Sequence, residues 1–276
     1  MTPREGANVD QIQWEGLRQQ ASSFTYCVID QTAKAIATAI AVQLGGRFFF
    51  ATARHVIENN HEIEVLPRDS VATGVSNFAA RRYHEQLDIG LLELKSDAAD
   101  RFTFADSGRL LTTMDTDKEL PALVIGYPGQ FIRSTETPLT SEYWLRICRC
   151  DALTYQSFVL PESEWPDNDS LREPLACGRD LLVDFHPEQR IRHLPPSTSV
   201  SGTLEVDCPA LDPRGLSGGG IWLAQVEDRN GLRLPDVRLI GIQSRWHVDS
   251  GRLVAVRVGA WLDMVRRTWP ELAALV

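Results

Sequence analysis

A serine set among glycines, Gly215-Leu216-Ser217-Gly218-Gly219-Gly220, lies far downstream of a histidine that closes one apolar run and an aspartate that opens another. The histidine is His55, ending Phe50-Ala51-Thr52-Ala53-Arg54-His55; the aspartate is Asp88, in Leu87-Asp88-Ile89-Gly90-Leu91-Leu92. Serine, histidine and aspartate are the three parts of a charge-assisted nucleophile. A hydroxyl is almost never ionised near neutral pH, so it attacks only when a base takes its proton. Histidine, with an ordinary pKa of about 6.5, suits that base. A carboxylate on the other ring nitrogen holds one tautomer and stabilises the imidazolium. For residues this far apart to meet, the chain must bring the ends of several strands to one place.

The rest of the chain can supply them. Short apolar, β-branched runs recur: Phe24–Ile29, Ile36–Leu44, Arg47–Ala53, His61–Leu66, Leu87–Leu94 and Pro121–Gly126. The second half continues with Trp144–Leu153, Ser157–Leu160, Asp180–Phe185, Gly202–Val206, Gly220–Ala224, Leu239–Gln243 and Leu253–Val258. Gly45-Gly46 between two apolar runs is a tight-hairpin signal. Pro161–Cys177 and His186–Ser201 are rich in Pro, Ser and Asp and read as loops. Many short strands broken by turn residues predict an all-β barrel or sandwich. Helical spacing is expected only at the ends. Ile12, Trp14 and Leu17 mark residues 9–20, and Ala260, Trp261, Met264, Val265 and Trp269 mark residues 259–268, with Pro270 as the stop.

Composition excludes several classes. A net charge of −9 with no block of Lys and Arg argues against a nucleic-acid partner, which needs a positive face. No apolar run reaches the ~18 residues a membrane helix needs, and Met1–Gln20 lacks the apolar core of a signal peptide. Cytoplasmic residence without membrane contact is the expectation. The five cysteines (Cys27, Cys148, Cys150, Cys177, Cys208) show neither bridge-like nor zinc-site spacing. Reduced thiols, no metal and no cofactor are expected.

The glycines around Ser217 have a chemical reason. A sharp turn over Gly215-Leu216-Ser217 aims the amides of Gly215 and Ser217 at one spot, where they are the expected donors to the oxyanion of a tetrahedral intermediate. One such donor is typically worth about 2.7–4 kcal/mol of transition-state stabilisation. Gly218 and Gly219 leave room for substrate backbone. Gly215, Ser217 and Gly219 also match a Gly-x-Ser-x-Gly nucleophile elbow. However, no strand–helix alternation surrounds them, and the histidine lies upstream of the serine.

On these residues the chain resembles the chymotrypsin/trypsin-like serine peptidases, particularly bacterial, intracellular-type members. The matching pieces are Thr52-Ala53-Arg54-His55-Val56, Asp88-Ile89-Gly90-Leu91-Leu92, Val124-Ile125-Gly126-Tyr127-Pro128-Gly129, Gly215-Leu216-Ser217-Gly218-Gly219 and Gly241-Ile242-Gln243-Ser244. The order His, Asp, Ser is that family's, and the roles are those of the general triad scheme. The resemblance implies two packed six-stranded antiparallel β-barrels with a short C-terminal helix. Residues 1–118 would carry the first barrel with His55 and Asp88. Residues 119–276 would carry the second with Ser217 and the oxyanion donors Gly215 and Ser217.

There are departures from the pattern. Leu216 stands where cleavage-activated members carry Asp, so no zymogen switch is implied. By motif spacing the specificity pocket has its floor near Leu211 and Asp212 and its walls near Ser244, Arg245, Trp246 and Leu253. Deep pockets carry Gly where Trp246 and Leu253 stand, so a shallow pocket is expected. Arg214 is either a plain loop charge or a substrate contact. His84, just ahead of Asp88, is the rival base. The implied activity is peptide-bond cleavage in a specific protein substrate, gated by a regulatory protein or a conformational change. A degenerate peptidase-fold binding module and a small-substrate esterase remain as alternatives.

Overall fold

The computed structural model describes residues 11–30, 35–59, 62–67, 75–129, 132–138, 144–150, 152–167, 174–185, 192–194, 214–229, 232–247 and 251–275. The expected strand at Gly202–Val206 lies outside them.

The first sheet is built from β1 (Thr25–Asp30), β2 (Ala35–Leu44), β3 (Arg47–Thr52), β4 (Ile63–Leu66), β5 (Phe78–Tyr83) and β6 (Gly90–Leu94), in the order β4-β1-β2-β3-β6-β5. The β2–β3 hairpin turns on Gly45 and Gly46, whose φ values of 54° and 78° are those a two-residue hairpin of matching twist demands. Alternation along β2 sorts its side chains. Ala37, Ala39 and Ala41 face the interior of the curled sheet, where Tyr26, Phe50 and Phe102 fill the space. Small residues are needed there because Phe102 packs edge-on to both Tyr26 and Phe50, with ring centroids 5.1 and 4.9 Å away. Ile40, Val42 and Leu44 point the other way, into the core shared with the second sheet.

The second sheet contains β7 (Leu120–Gly126), β10 (Ala152–Val159), β11 (Asp180–Asp184), β12 (Arg192–Leu194), β13 (Gly220–Arg229), β14 (Leu232–His247) and β15 (Arg252–Arg257). Its order is β11-β15-β14-β13-β7-β10-β12. A further pairing of β10 with β11 at Val159 and Val183 closes six of these strands into a barrel. Its interior holds Val124, Leu153, Tyr155, Val183, Leu216, Ile221 and Leu253. A separate hairpin, β8 (Ile132–Pro138) with β9 (Trp144–Cys150), forms its own two-stranded sheet among the described residues.

The architecture is therefore mostly β, with one closed six-stranded barrel and one curled half-barrel sheet. The edges β4 and β5 of the first sheet do not pair. Among the described residues, the isolated bridge between Val65 and Val75 spans toward that gap. The single run expected over Trp144–Leu153 splits into β9 and β10 because the two halves take different partners. The expected loop over His186–Ser201 contains β12, which extends β10's edge.

The two terminal helices tie the halves together. α1 (Gln11–Ser23) packs on the second sheet, and Phe24, just beyond it, stacks 5.7 Å from Trp222. Gln20 Nε2 donates to Pro235 O at 2.8 Å. α3 (Val258–Thr268) lies against β14 and β15 of its own sheet, and its Trp261 reaches the first sheet, where Nε1 donates to Gly90 O at 3.2 Å. Trp269 lies 5.0 Å from Phe49, with Arg47 over its ring. Truncating buried aromatics of this kind to alanine typically costs about 3–5 kcal/mol. α1 therefore docks on the second sheet, and α3 shares a core with both sheets.

Cys27 is buried and Cys177 exposed; Cys208 and the side chains of Cys148 and Cys150 lie outside the described set. Among the described residues no helix is long and apolar enough to cross a membrane, and no group of three or more His, Cys, Asp and Glu side chains is placed to hold a metal.

Candidate catalytic site

The Ser217 loop precedes β13 and is clamped from both sheets. Leu216 is fully buried in the barrel interior and anchors the loop from below. Gly215 and Gly218 have φ of 96° and 83°, a region that side-chain-bearing residues rarely adopt. Space excludes a side chain as well. A Cβ on Gly215 would lie 2.5 Å from Tyr127 O, and one on Gly218 would lie 2.2 Å from Thr38 O and 2.3 Å from Thr52 Oγ1.

Thr38, in the middle of apolar β2, carries most of this clamp. Its N–H donates to Ser217 O at 2.9 Å, and its Oγ1 donates to Gly215 O at 2.8 Å. The same Oγ1 accepts from Tyr127 N at 2.9 Å, and Thr38 O accepts from Thr52 Oγ1 at 2.7 Å. From the second sheet, Gly218 N donates to Gln243 O and Gln243 N to Gly219 O, both at 2.8 Å. Thr38→Val keeps the shape but strands the Gly215 carbonyl and the Tyr127 amide. A buried unsatisfied group costs about 1–3 kcal/mol, so a loss of about 2–6 kcal/mol in unfolding free energy is expected by urea titration. An unchanged midpoint would show that the clamp carries no weight.

His55 and Asp88 meet at the end of the first sheet. β3 ends at Thr52, Ala53 caps the next turn, and α2 (Arg54–Glu58) places His55 in its opening turn. Asp88 sits two residues before β6. His55 Nδ1 lies 2.8 Å from Asp88 Oδ2 and 3.0 Å from Oδ1, and the His55 amide donates to Oδ1 at 3.0 Å. A carboxylate only accepts, so Nδ1 carries the proton; in the neutral ring Nε2 then keeps a lone pair. His84 is differently placed. Its Nδ1 accepts from the amides of Gln86 and Leu87, both at 3.1 Å, and so caps the turn that leads to Asp88.

The two parts converge on the seam between the sheets. A Cβ on Gly218 would stand 3.0 Å from the Cα of Thr52, three positions before His55. Among the described residues no hydrogen bond joins the Ser217 hydroxyl to His55. Such contacts often tighten only when substrate is bound. The amides of Gly215 and Ser217 donate to no group among the described residues, whereas those of Gly218 and Gly219 are taken within the fold.

Leu211 and Asp212, the expected pocket floor, lie outside the described residues. Arg214 is exposed, and its carbonyl accepts from Gly129 N at 2.9 Å. Ser244 is buried at a bulge in β14, with Oγ donating to Val254 O at 3.1 Å. Trp246 and Leu253 face each other across β14 and β15. Leu253 is fully buried in the barrel interior with Leu216, and Trp246 packs partly buried against the same cluster, edge-on to Phe185.

Sequence reading missed Thr38, the clamping role of Thr52, and Gln243 as the tie from the second sheet. Thr38 left a trace, because it is the polar residue inside the apolar run Ala35–Val42. No protein-family model matches the chain, and no curated protein sequence matches it.

Proposed function

We propose that this chain is a serine endopeptidase with Ser217 as nucleophile, His55 as general base and acid, and Asp88 as the carboxylate that orients and stabilises His55. The observation that carries the reading is the pairing of His55 Nδ1 with both Asp88 oxygens, at 2.8 and 3.0 Å, on the seam to which the Ser217 loop is clamped. In this reading Ser217 Oγ attacks the scissile carbonyl as His55 Nε2 takes its proton. The oxyanion forms against the amides of Gly215 and Ser217. His55 passes the proton to the leaving amine, and water then clears the acyl group by the same path in reverse. The curled first sheet stands as the partner of the closed barrel in a two-barrel peptidase fold. We place the enzyme in the cytosol, acting on a specific protein under the control of a regulatory protein.

A fluorophosphonate probe tests the chemistry. Covalent labelling of the full chain at Ser217, located by peptide mass spectrometry, is expected; no labelling would overturn the hydrolase reading. The second reading, a peptidase-fold binding module, is favoured by the missing hydrogen bond between Ser217 and His55, and the same experiment separates the two. Cleavage of peptide rather than ester libraries separates endopeptidase from esterase.

Specificity follows from Trp246 and Leu253. At the pocket walls that the motif spacing gives them, their side chains would take the space that a long residue before the scissile bond needs. Overfilling a packed site costs about 1–3 kcal/mol, which corresponds to roughly 5- to 150-fold in rate. Ala, Ser, Thr, Cys and Val are therefore expected before the cleaved bond in a peptide-library profile. A dominant Arg, Lys or aromatic preference would reject this; the basic case would point to Asp212 at the pocket floor.

A further inference from the structure

We propose that Arg54 is a positioning residue that holds the Asp88 loop against the helix bearing His55. The inference rests on the hydrolase reading for its consequence in catalysis, and on geometry alone for the contact. Arg54 directly precedes His55. Its Nε and an amino nitrogen form a fork on Glu58, one helical turn on, at 2.9 and 2.8 Å. The other amino nitrogen donates to the carbonyls of His84, at 3.4 Å, and Glu85. The guanidinium also lies over the Tyr83 ring, 5.1 Å from its centroid. One planar cation thus engages α2 on one side and residues 83–85 on the other.

That second segment leads directly to Asp88. It is stiffened from within, because His84 N donates to Ile89 O at 3.0 Å while His84 Nδ1 caps the amides of Gln86 and Leu87. The loop therefore transmits a displacement at residues 84–85 to the carboxylate. The direct contacts between His55 and Asp88 fix their separation, and Arg54 adds a second tether on the solvent side. A lysine makes a point charge without the fork or the stacked plane, so it is a partial substitute. Glu58 holds the guanidinium in place: the pair raises the Arg54 pKa and lowers that of Glu58, each through their shared hydrogen bonds.

The test uses the full chain and two readouts. One is the rate of fluorophosphonate labelling. The other is the proton resonance of His55 Nδ1–H, observed by nuclear magnetic resonance as a signal protected by Asp88. A misplacement of about 1 Å can cost about 100-fold in rate; with the direct pair retained, Arg54→Ala is expected to slow labelling about 10-fold. It should also broaden the Nδ1–H signal by faster exchange. Arg54→Lys should recover part of both, as should free guanidinium ion added to Arg54→Ala. A residue needed only for folding would respond to neither. Should Arg54→Ala fail to fold, Glu58→Gln loosens the same tether and is expected to slow labelling about twofold, the weight of an exposed i,i+4 ion pair. Wild-type labelling rates and an unchanged Nδ1–H signal in the folded variant would overturn the positioning role and leave the hydrolase reading intact. An unlabelled wild type whose Nδ1–H signal still depends on Arg54 would overturn the hydrolase reading and leave the positioning role intact.

Discussion

Ser217→Ala is expected to abolish phosphonate labelling and to lower peptide turnover by about 10⁴- to 10⁶-fold, the scale seen when a nucleophile of this type is removed. The circular dichroism spectrum should not change, because no hydrogen bond among the described residues depends on the Ser217 hydroxyl. The loop is held by backbone groups instead, through the Thr38 amide on Ser217 O and the Gly218–Gln243 and Gln243–Gly219 pairs. His55→Ala should leave a similar residual, and the double variant should add little, since members of a catalytic unit are far from additive. Labelling that persists in Ser217→Ala would reject the nucleophile. Greater damage from His84→Ala than from His55→Ala would reject the base, against the geometry that turns His84 Nδ1 toward two backbone amides.

Gly218→Ala is expected to be the most damaging single-methyl change in the protein. Left-handed backbone costs a side-chain-bearing residue about 1–2 kcal/mol, and overfilling a packed site adds about 1–3 kcal/mol, for about 2–5 kcal/mol in all. The neighbours cannot yield easily. Thr38 O, 2.2 Å from the added carbon, and the Thr52 Cα, at 3.0 Å, are backbone atoms of paired strands. The relaxation available is separation of the Ser217 loop from the first sheet, which moves Ser217 away from His55. Stability and labelling should therefore fall together. Gly46→Ala is the matched control. It has a similar φ of 78° but nothing within 4 Å of the added carbon, so about 1–2 kcal/mol is expected. Equal urea midpoints for the two variants would show that the seam between the sheets is not the tight contact described.

Local chemistry was legible without the fold. Gly45-Gly46 specified the β2–β3 hairpin because a two-residue turn needs positive φ at both positions. The C-terminal helix was visible in its apolar period, and β7, β11 and β15 in their short apolar runs. β5 was not, because Phe-Ala-Ala-Arg-Arg-Tyr has two charges and only partial burial; it forms a strand by pairing with β6 at the sheet's edge. β13 and β14 run beyond their apolar segments, since each supplies hydrogen bonds that extend the other through polar residues such as Gln225 and Asp236.

For the candidate site, the sequence alone singled out Ser217, His55 and Asp88, because their glycine and strand-end settings are local. Tertiary structure decided what joins them. Asp88 pairs with His55 rather than His84 because the opening turn of α2 aims both the amide and the ring of His55 at the carboxylate. Thr38 fastens the Ser217 loop because β2 crosses beneath it, and no local pattern announces a contact between residues 177 positions apart. The docking of α1 on the second sheet and the reach of α3 to the first have the same origin. Amphipathic spacing shows that a helix must bury a face, but the exposed apolar surface left by the two folded sheets determines where.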